Sequence, residues 1–202
     1  MSHPSSTRGY GVFEKFLANQ RRLITDKLIP PSFRSGKILD IGCGIFPFFL
    51  ANTDFQVKYG IDKMFPHTGI KTDIGLNIVK VKQDIELNAK LSFPDKTFSA
   101  VTALAMIEHI EPSLASQLFT EIHRVLKPDG FYIMTTPAPW TNAILKILAQ
   151  LRLVSPIEIN DHKNLYSVSY LTNLLKETGF REEKIRHGFF ELGMNIWLTA
   201  KK

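Results

Sequence analysis

The sequence predicts a doubly wound α/β fold: one seven-stranded sheet, mostly parallel, with an antiparallel strand at its C-terminal end. Three observations predict it. Short apolar runs at 37–41, 56–61, 78–82, 98–103 and 131–135 alternate with helical or turn-rich segments, which implies crossover units and parallel pairing. Two further runs, 181–187 and 195–200, are joined through Gly188 and Gly193 by a loop too short for a helix, so one of them runs antiparallel to its neighbour. Finally, 202 residues at 44% hydrophobic and 22% charged can bury a full core, and neither repeats nor an interdomain linker divide them. A single domain over 1–202 is expected, with a tail and helix at 1–35, a central body at 36–136, and an insertion plus closing strands at 137–202.

Each element has a local reason. Residues 1–9 are a polar tail, and Phe13, Phe16, Leu17, Ile24 and Leu28 make a helical stripe over 10–29 that Pro30-Pro31 stops. The run 37–41 reads as a buried strand entering the turn Gly42-Cys43-Gly44, followed by a short helix at 47–51. Between the fourth and fifth strands Leu114, Leu118, Ile122 and Val125 recur at helical spacing; Pro112 suits the first turn and Lys127-Pro128-Asp129-Gly130 ends it. His123 falls opposite Leu114 and should face solvent. In the inserted segment 139–156, Ile144, Leu145, Ile147, Leu148 and Leu151 lie opposite Lys146 and Gln150, a face expected to pack on the core or roof a pocket. Ser169 can cap a last helix carrying Leu171, Leu174 and Leu175, with Gly179 as its stop.

Composition narrows the function. Cys43 is the lone cysteine, which excludes a disulfide framework, a thiolate zinc site and a cysteine-ligated cluster. The histidines lie at no ligand spacing, so no metal is expected. The net charge of +6 is spread over Arg21, Arg22, Lys80, Lys82, Arg181, Lys184, Lys201 and Lys202 rather than gathered in a stripe, so a solvated basic surface is expected and no nucleic-acid partner. Residues 1–11 lack the apolar run of a secretory signal, and no run approaches membrane-spanning length, so the expected compartment is the cytoplasm.

The chemistry concentrates at strand ends. Ile38-Leu39-Asp40-Ile41-Gly42-Cys43-Gly44 is a strand entering a glycine turn, where a ligand can approach backbone with no Cβ in the way. Asp62 ends the second run 22 residues after Asp40, placed to accept from both hydroxyls of a ribose. Asp84 follows the third run, where a carboxylate can accept from an exocyclic amine such as that of adenine. Three acids at successive strand ends point to a nucleoside-bearing ligand. A nicotinamide dehydrogenase would need its next glycine at position 47, which is Pro47.

With these residues in view, the sequence resembles the class I S-adenosylmethionine-dependent methyltransferases, in the branch acting on small molecules. The resemblance runs over 36–136: the first motif at 38–46, Asp62, Asp84, the fourth strand with Glu108-His109, and the turn Leu126-Lys127-Pro128-Asp129-Gly130-Phe131. It implies a Rossmann-like sheet, S-adenosylmethionine as cofactor, and methyl transfer to a small-molecule acceptor, with oxygen as the first choice of accepting atom. It also implies that Gly42 and Gly44 pass the cofactor's methionine portion, with Asp40 and Cys43 among the cofactor-binding residues. Asp62 would hold the ribose and Asp84 the adenine, with Ile85 and Met106 as walls and Lys63 and Ala105 beside them. The family's third glycine is replaced by Phe46, a side chain that would either wall the pocket or block it.

His109, just past the fourth strand, is the candidate base; His162 and then Tyr166, in the loop Asp161-His162-Lys163-Asn164-Leu165-Tyr166, are weaker candidates. Cys43 sits in the glycine turn and is not read as a nucleophile. Ala105-Met106-Ile107-Glu108 lacks the signature of amino-group methyltransferases acting on DNA bases. A sugar, a lipid-linked intermediate or a quinone-like metabolite fits as acceptor, and the greasy segment 139–156 admits transient membrane contact. The alternative of another class is a non-catalytic protein that binds the cofactor as a sensor or partner subunit; a nucleic-acid methyltransferase would rest on the positive charge alone.

Overall fold

A computed structural model describes residues 14–151, 153–154 and 164–202. Its strands are β1 Lys37–Ile41, β2 Val57–Asp62, β3 Ile70–Asp73, β4 Ile78–Lys82, β5 Phe98–Leu104, β6 Leu126–Pro137, β7 Arg186–Phe190 and β8 Asn195–Lys201. Its helices are α1 Glu14–Leu28, α2 Phe48–Ala51, α3 Pro112–Val125, α4 Asn142–Gln150 and α5 Val168–Glu177. The sheet order is β3-β4-β2-β1-β5-β6-β8-β7. The five strands from β4 to β6 are parallel, whereas β8 is antiparallel to both of its neighbours and β3 is antiparallel to β4.

The order reverses direction between β1 and β5, and that switch point sets where a ligand can sit. The register aligns the strand ends: Ile41 pairs with both Ile61 and Ala103, and Asp62 pairs with Lys82. The loops after β1, β2, β4 and β5 therefore open on one edge. Side-chain alternation along β1 feeds two cores. Leu39 and Ile41 pack with α3 and α5 on one face, where Leu118, Ile122, Leu171 and Leu175 are buried; Ile38 packs on the other with Phe49, Leu50 and Ile29.

The strands read from the sequence are all present in β1, β2 and β4 to β8, and the eighth, β3, has no apolar signature. Its Ile70 is 71% exposed, and it stands on the sheet edge, tied to β4 by the Lys80 Nζ to Asp73 Oδ2 contact of 2.7 Å. An edge strand whose side chains meet water has no hydrophobic alternation to betray it. Ser167, not Ser169, caps α5: its hydroxyl accepts from the Tyr170 amide at 3.2 Å, and Ser169 lies inside the helix. α3 ends at Val125, and Lys127–Gly130 loop out opposite Ser99 as β6 begins. The run expected at 181–187 becomes a single 3-10 turn followed by β7. Gly188 therefore lies inside a strand opposite Trp197, and the reversal falls at Glu191, Leu192 and Gly193, all with positive φ.

Three expected faces are redrawn by packing. His123 is half-buried rather than solvent-facing; its ring meets Phe180 edge-on with centroids 5.2 Å apart, and burial, aided by Lys202, lowers its pKa. In α4, Leu145 and Leu148 are half-buried while Ile144, Ile147 and Leu151 stay exposed, so the stripe only partly packs. In α1 Thr25 is buried, Ile29 is buried just past its end, and Phe16 is 56% exposed. A polar clamp fixes α1 instead. Arg34 donates to Asp26 Oδ1 at 3.2 Å, to the Asp26 carbonyl at 2.9 Å and to Thr53 Oγ1 at 3.1 Å, and Thr53 donates to Asp26 Oδ1 at 2.7 Å.

Candidate functional site

The glycine turn after β1 is held by its neighbour strand. Both the Gly42 and Cys43 amides donate to the Ile61 carbonyl, at 2.9 and 3.2 Å. Gly42 has φ +70°, and a Cβ there would stand 2.5 Å from Met106 Cγ, so only glycine lets the turn and the β5 loop approach so closely. The Gly44 amide then donates to Asp62 Oδ2 at 2.9 Å, while the Met64 amide donates to Asp62 Oδ1 at 2.7 Å. Asp62 thus ties the turn to the tip of β2. A carboxylate has about four acceptor sites, and Asp62 also borders the cleft.

Beneath the turn, Asp40 is buried and accepts from Thr102 Oγ1 at 2.6 Å. Burial pushes its carboxyl up to about 7; the Thr102 bond works against that rise and the Asp62 charge adds to it. Cys43 packs against the bare face of Gly60, where a Cβ would lie 2.7 Å from its sulfur. Burial, then the Asp40 and Asp62 charges, pushes its thiol up, which keeps it protonated and unreactive.

These residues line one cleft at the switch point, with about 1010 Å³ of empty space open to solvent. Every cofactor-side residue singled out from the sequence borders it: Asp40, Gly42, Cys43, Gly44, Asp62, Lys63, Asp84, Ile85, Ala105 and Met106. Asp84 closes an Asx turn, accepting from the Glu86 amide at 3.0 Å, and still faces the cleft. Lys63 is ion-paired with Glu86 at 2.6 Å. Ala105 holds φ +50°, an uncommon conformation for a residue with a Cβ, and its amide is fixed by Thr135 through the carbonyl at 2.9 Å and the hydroxyl at 3.1 Å.

The Glu108-His109 pair divides. Glu108 is buried and accepts from Thr136 Oγ1 at 3.1 Å, whereas His109 borders the cleft. Tyr166 is buried away from it, donating to the Ile110 carbonyl at 2.7 Å, and burial raises its phenol pKa further from the working range. His162 lies outside the described residues. Phe46 is half-buried and does not line the cleft; Phe48 and Phe49 do, so the missing third glycine leaves the space open. The inserted helix α4 does not line it either. Among the described residues, no three His, Cys, Asp or Glu side chains cluster as a metal site, and no helix is long and apolar enough to cross a membrane.

The sequence reading missed the wall that α1 supplies. Ala18, Arg21 and Arg22 face the cleft. Their spacing of three and four residues places them on one helical face, a signal that was available, but the face they meet is decided by the Arg34–Asp26 clamp.

The fit to an adenosyl group rests on this geometry: two positive-φ glycines, a buried acid bordering the cleft, and apolar walls at Ile85 and Met106. A family model described as "Methyltransferase domain" matches residues 13–184. A search of the curated proteins returns no match to this sequence. Among solved structures, a SAM-dependent methyltransferase from Archaeoglobus fulgidus is 21% identical with a TM-score of 0.64, covering 94% of each chain. A protein from Pyrococcus horikoshii is 21% identical with a TM-score of 0.68, over 98% of this chain and 95% of its own. A SAM-dependent methyltransferase from Thermotoga maritima, described as a possible histamine N-methyltransferase, is 14% identical with a TM-score of 0.64, over 95% and 98%. At these identities the likeness is one of fold; the family match covers most of the sequence itself. The chain belongs to the methyltransferase-domain family and is a class I methyltransferase that uses S-adenosylmethionine.

Proposed function

We propose that the protein methylates a hydroxyl oxygen of a small cytoplasmic acceptor, a sugar, lipid-linked or quinone-like metabolite, with His109 as the base. The observation that carries this reading is the convergence of Asp62, Asp84 and His109, from the ends of three different strands, on one cleft. Bound S-adenosylmethionine supplies a methyl group already activated on a sulfonium sulfur. Asp62, at the edge of the cleft, accepts from the ribose hydroxyls. Asp84 accepts from the adenine amine, and Ile85 and Met106 pack on the apolar adenosyl faces. Gly42 and Gly44 keep side chains out of the donor's path, while Asp40 attracts its cationic end from below. Lys63, paired with Glu86, stiffens the rim beside Asp62.

Positioning supplies most of the catalysis, on the order of 7–11 kcal/mol in favourable cases. A neutral hydroxyl must also lose its proton as the bond to carbon forms, and a histidine facing the cleft can take it. The burial of Glu108 supports this division of labour, since that acid is engaged with Thr136 and leaves His109 as the pair's ligand-facing member.

The test is turnover of labelled donor against a panel of hydroxyl- and amine-bearing acceptors, repeated with His109→Ala and His109→Asn. Product formation on the best hydroxyl acceptor should fall about 10²–10⁴-fold, with S-adenosylhomocysteine affinity unchanged within about threefold. Undiminished turnover, or equal loss of turnover and affinity, would remove His109 as the base; turnover confined to amines would replace oxygen by nitrogen.

A further inference from the structure

An apolar stripe lies on the surface just past β6. Thr135 holds the amide of Ala105, which lines the cleft; β6 then ends at Pro137, and a 3-10 turn, Pro139–Thr141, runs straight into α4. Trp140 on that turn is exposed, and so are Ile144, Ile147 and Leu151, which follow at the spacings of one helical face. Leu145 and Leu148 are the half-buried side of the helix, so the exposed stripe is not what holds α4 to the body.

The turn between β7 and β8 meets this stripe, since a Cβ on Gly193 would lie 3.9 Å from Trp140 Cζ2. Beside that glycine Leu192 is 99% exposed with φ +57°. Glycine or asparagine would fill such a tip with less strain, and a leucine there adds nothing to the core. The charge around the stripe has one sign. From Gly130 to Ile157 the sequence holds no Asp or Glu, and its charged residues are Lys146 and Arg152; the chain as a whole carries +6. Lys146 is exposed beside Ile147. Glu191, the acid of the tip, has Oε1 buried and Oε2 accepting from Asn195 Nδ2, so it withdraws from that surface.

An indole, aliphatic side chains on one helical face and a flanking lysine with no acid among them suit the boundary between anionic headgroups and acyl chains. At nine residues α4 can lie on such a layer but not cross it. A second copy of the chain fits less well, because self-pairing would bring two acid-free, lysine-bearing faces together.

We propose that Trp140, the exposed face of α4 and Leu192 dock on an anionic lipid surface, which sets the β6 side of the cleft beside the layer that a lipid-soluble acceptor leaves. The docking stands without methyl transfer; only the origin of the acceptor rests on the function proposed above.

Co-sedimentation with vesicles of phosphatidylcholine alone, or mixed equally with phosphatidylglycerol, tests the docking with neither donor nor acceptor present. The wild type should pellet with the mixed vesicles and bind the neutral ones about tenfold more weakly. Ile147→Glu and Leu192→Glu should each weaken binding about tenfold or more, and Lys146→Gln about fivefold on the mixed vesicles alone. Melting temperature and S-adenosylhomocysteine affinity of these surface variants should match the wild type, which separates lost docking from lost folding. Wild-type protein left in the supernatant by the mixed vesicles overturns the proposal, as does pelleting that both glutamate variants leave intact. A wild-type dimer in sedimentation velocity that Ile147→Glu splits, without vesicle binding, gives the face to a second copy and overturns it too. Docking without methylation of any vesicle-borne hydroxyl compound upholds the docking and refutes the lipid-soluble acceptor.

Discussion

Asp40 lies under the glycine turn with its carboxyl pushed from an ordinary 3.8 to about 7, chiefly by burial. An acid whose folded pKa exceeds its unfolded value stabilises the fold fully below the unfolded pKa and loses that contribution as pH rises to the folded one. Over this window ionisation costs roughly 1.4 kcal/mol per pH unit, so the penalty at pH 8 reaches roughly 4 kcal/mol. Asp40→Asn removes the titration while leaving an oxygen to accept from Thr102. The unmatched amide N–H of asparagine adds a cost, but one that does not vary with pH. Chemical denaturation of both proteins from pH 5 to pH 8 isolates the effect, because the carboxylates away from Asp40 titrate alike in the pair and cancel. The stability difference should move by about 3 kcal/mol in favour of the variant between pH 5 and pH 8. A difference constant across that range would refute the burial argument. The same charge should serve the cationic donor: wild-type affinity for S-adenosylmethionine should rise from pH 6 to pH 8, and that of Asp40→Asn should stay flat. A fold that retains such a costly ion in a ligand cleft trades stability for binding.

Two more substitutions test the cleft directly. Asp62→Asn leaves one oxygen where the Gly44 and Met64 amides each use one; it should cost about 1–3 kcal/mol of stability and weaken S-adenosylhomocysteine about tenfold or more, and unchanged affinity by calorimetry would reject the ribose assignment. Gly42→Ala combines a φ of +70° with a 2.5 Å approach to Met106 Cγ; it should cost about 2–4 kcal/mol, seen as a melting temperature several degrees lower, and a melting curve matching the wild type would show that the turn relaxes freely.

The elements that came through from the sequence are those whose signal is local. β1, β5 and β6 are largely buried on both faces, β2 and β4 only in part, and all five read as short apolar runs, while α3 and α5 carry periodic apolar stripes. β3 did not, because an exposed edge strand has no face to hide. Ser169 suits a cap by residue type, but Ser167 does too, and only the backbone conformation before the helix makes Ser167 the cap. In the site, Asp62, Asp84 and the glycine turn were legible because each sits at a strand end, and a parallel register brings such ends together. His109 was legible by its place just past the fourth strand, whereas the burial of Glu108 beside it was not, since adjacent residues differ only in the direction that the 3-10 turn sends them.

The succession of strands along the chain, β3 apart, with the acids at their tips and the glycines between them, belongs to the sequence alone, since strand period and turn chemistry act over a few residues. The α1 wall with Arg21, the removal of Phe46 from the cleft and the raised Asp40 carboxyl belong to the tertiary structure. Each depends on what distant segments bring within a few ångströms: the Arg34–Asp26 clamp across α1, the packing around α2, and the pairing of β5 with β1 that sets Thr102 against Asp40. Contact and desolvation are properties of the folded whole, and no window of sequence contains them.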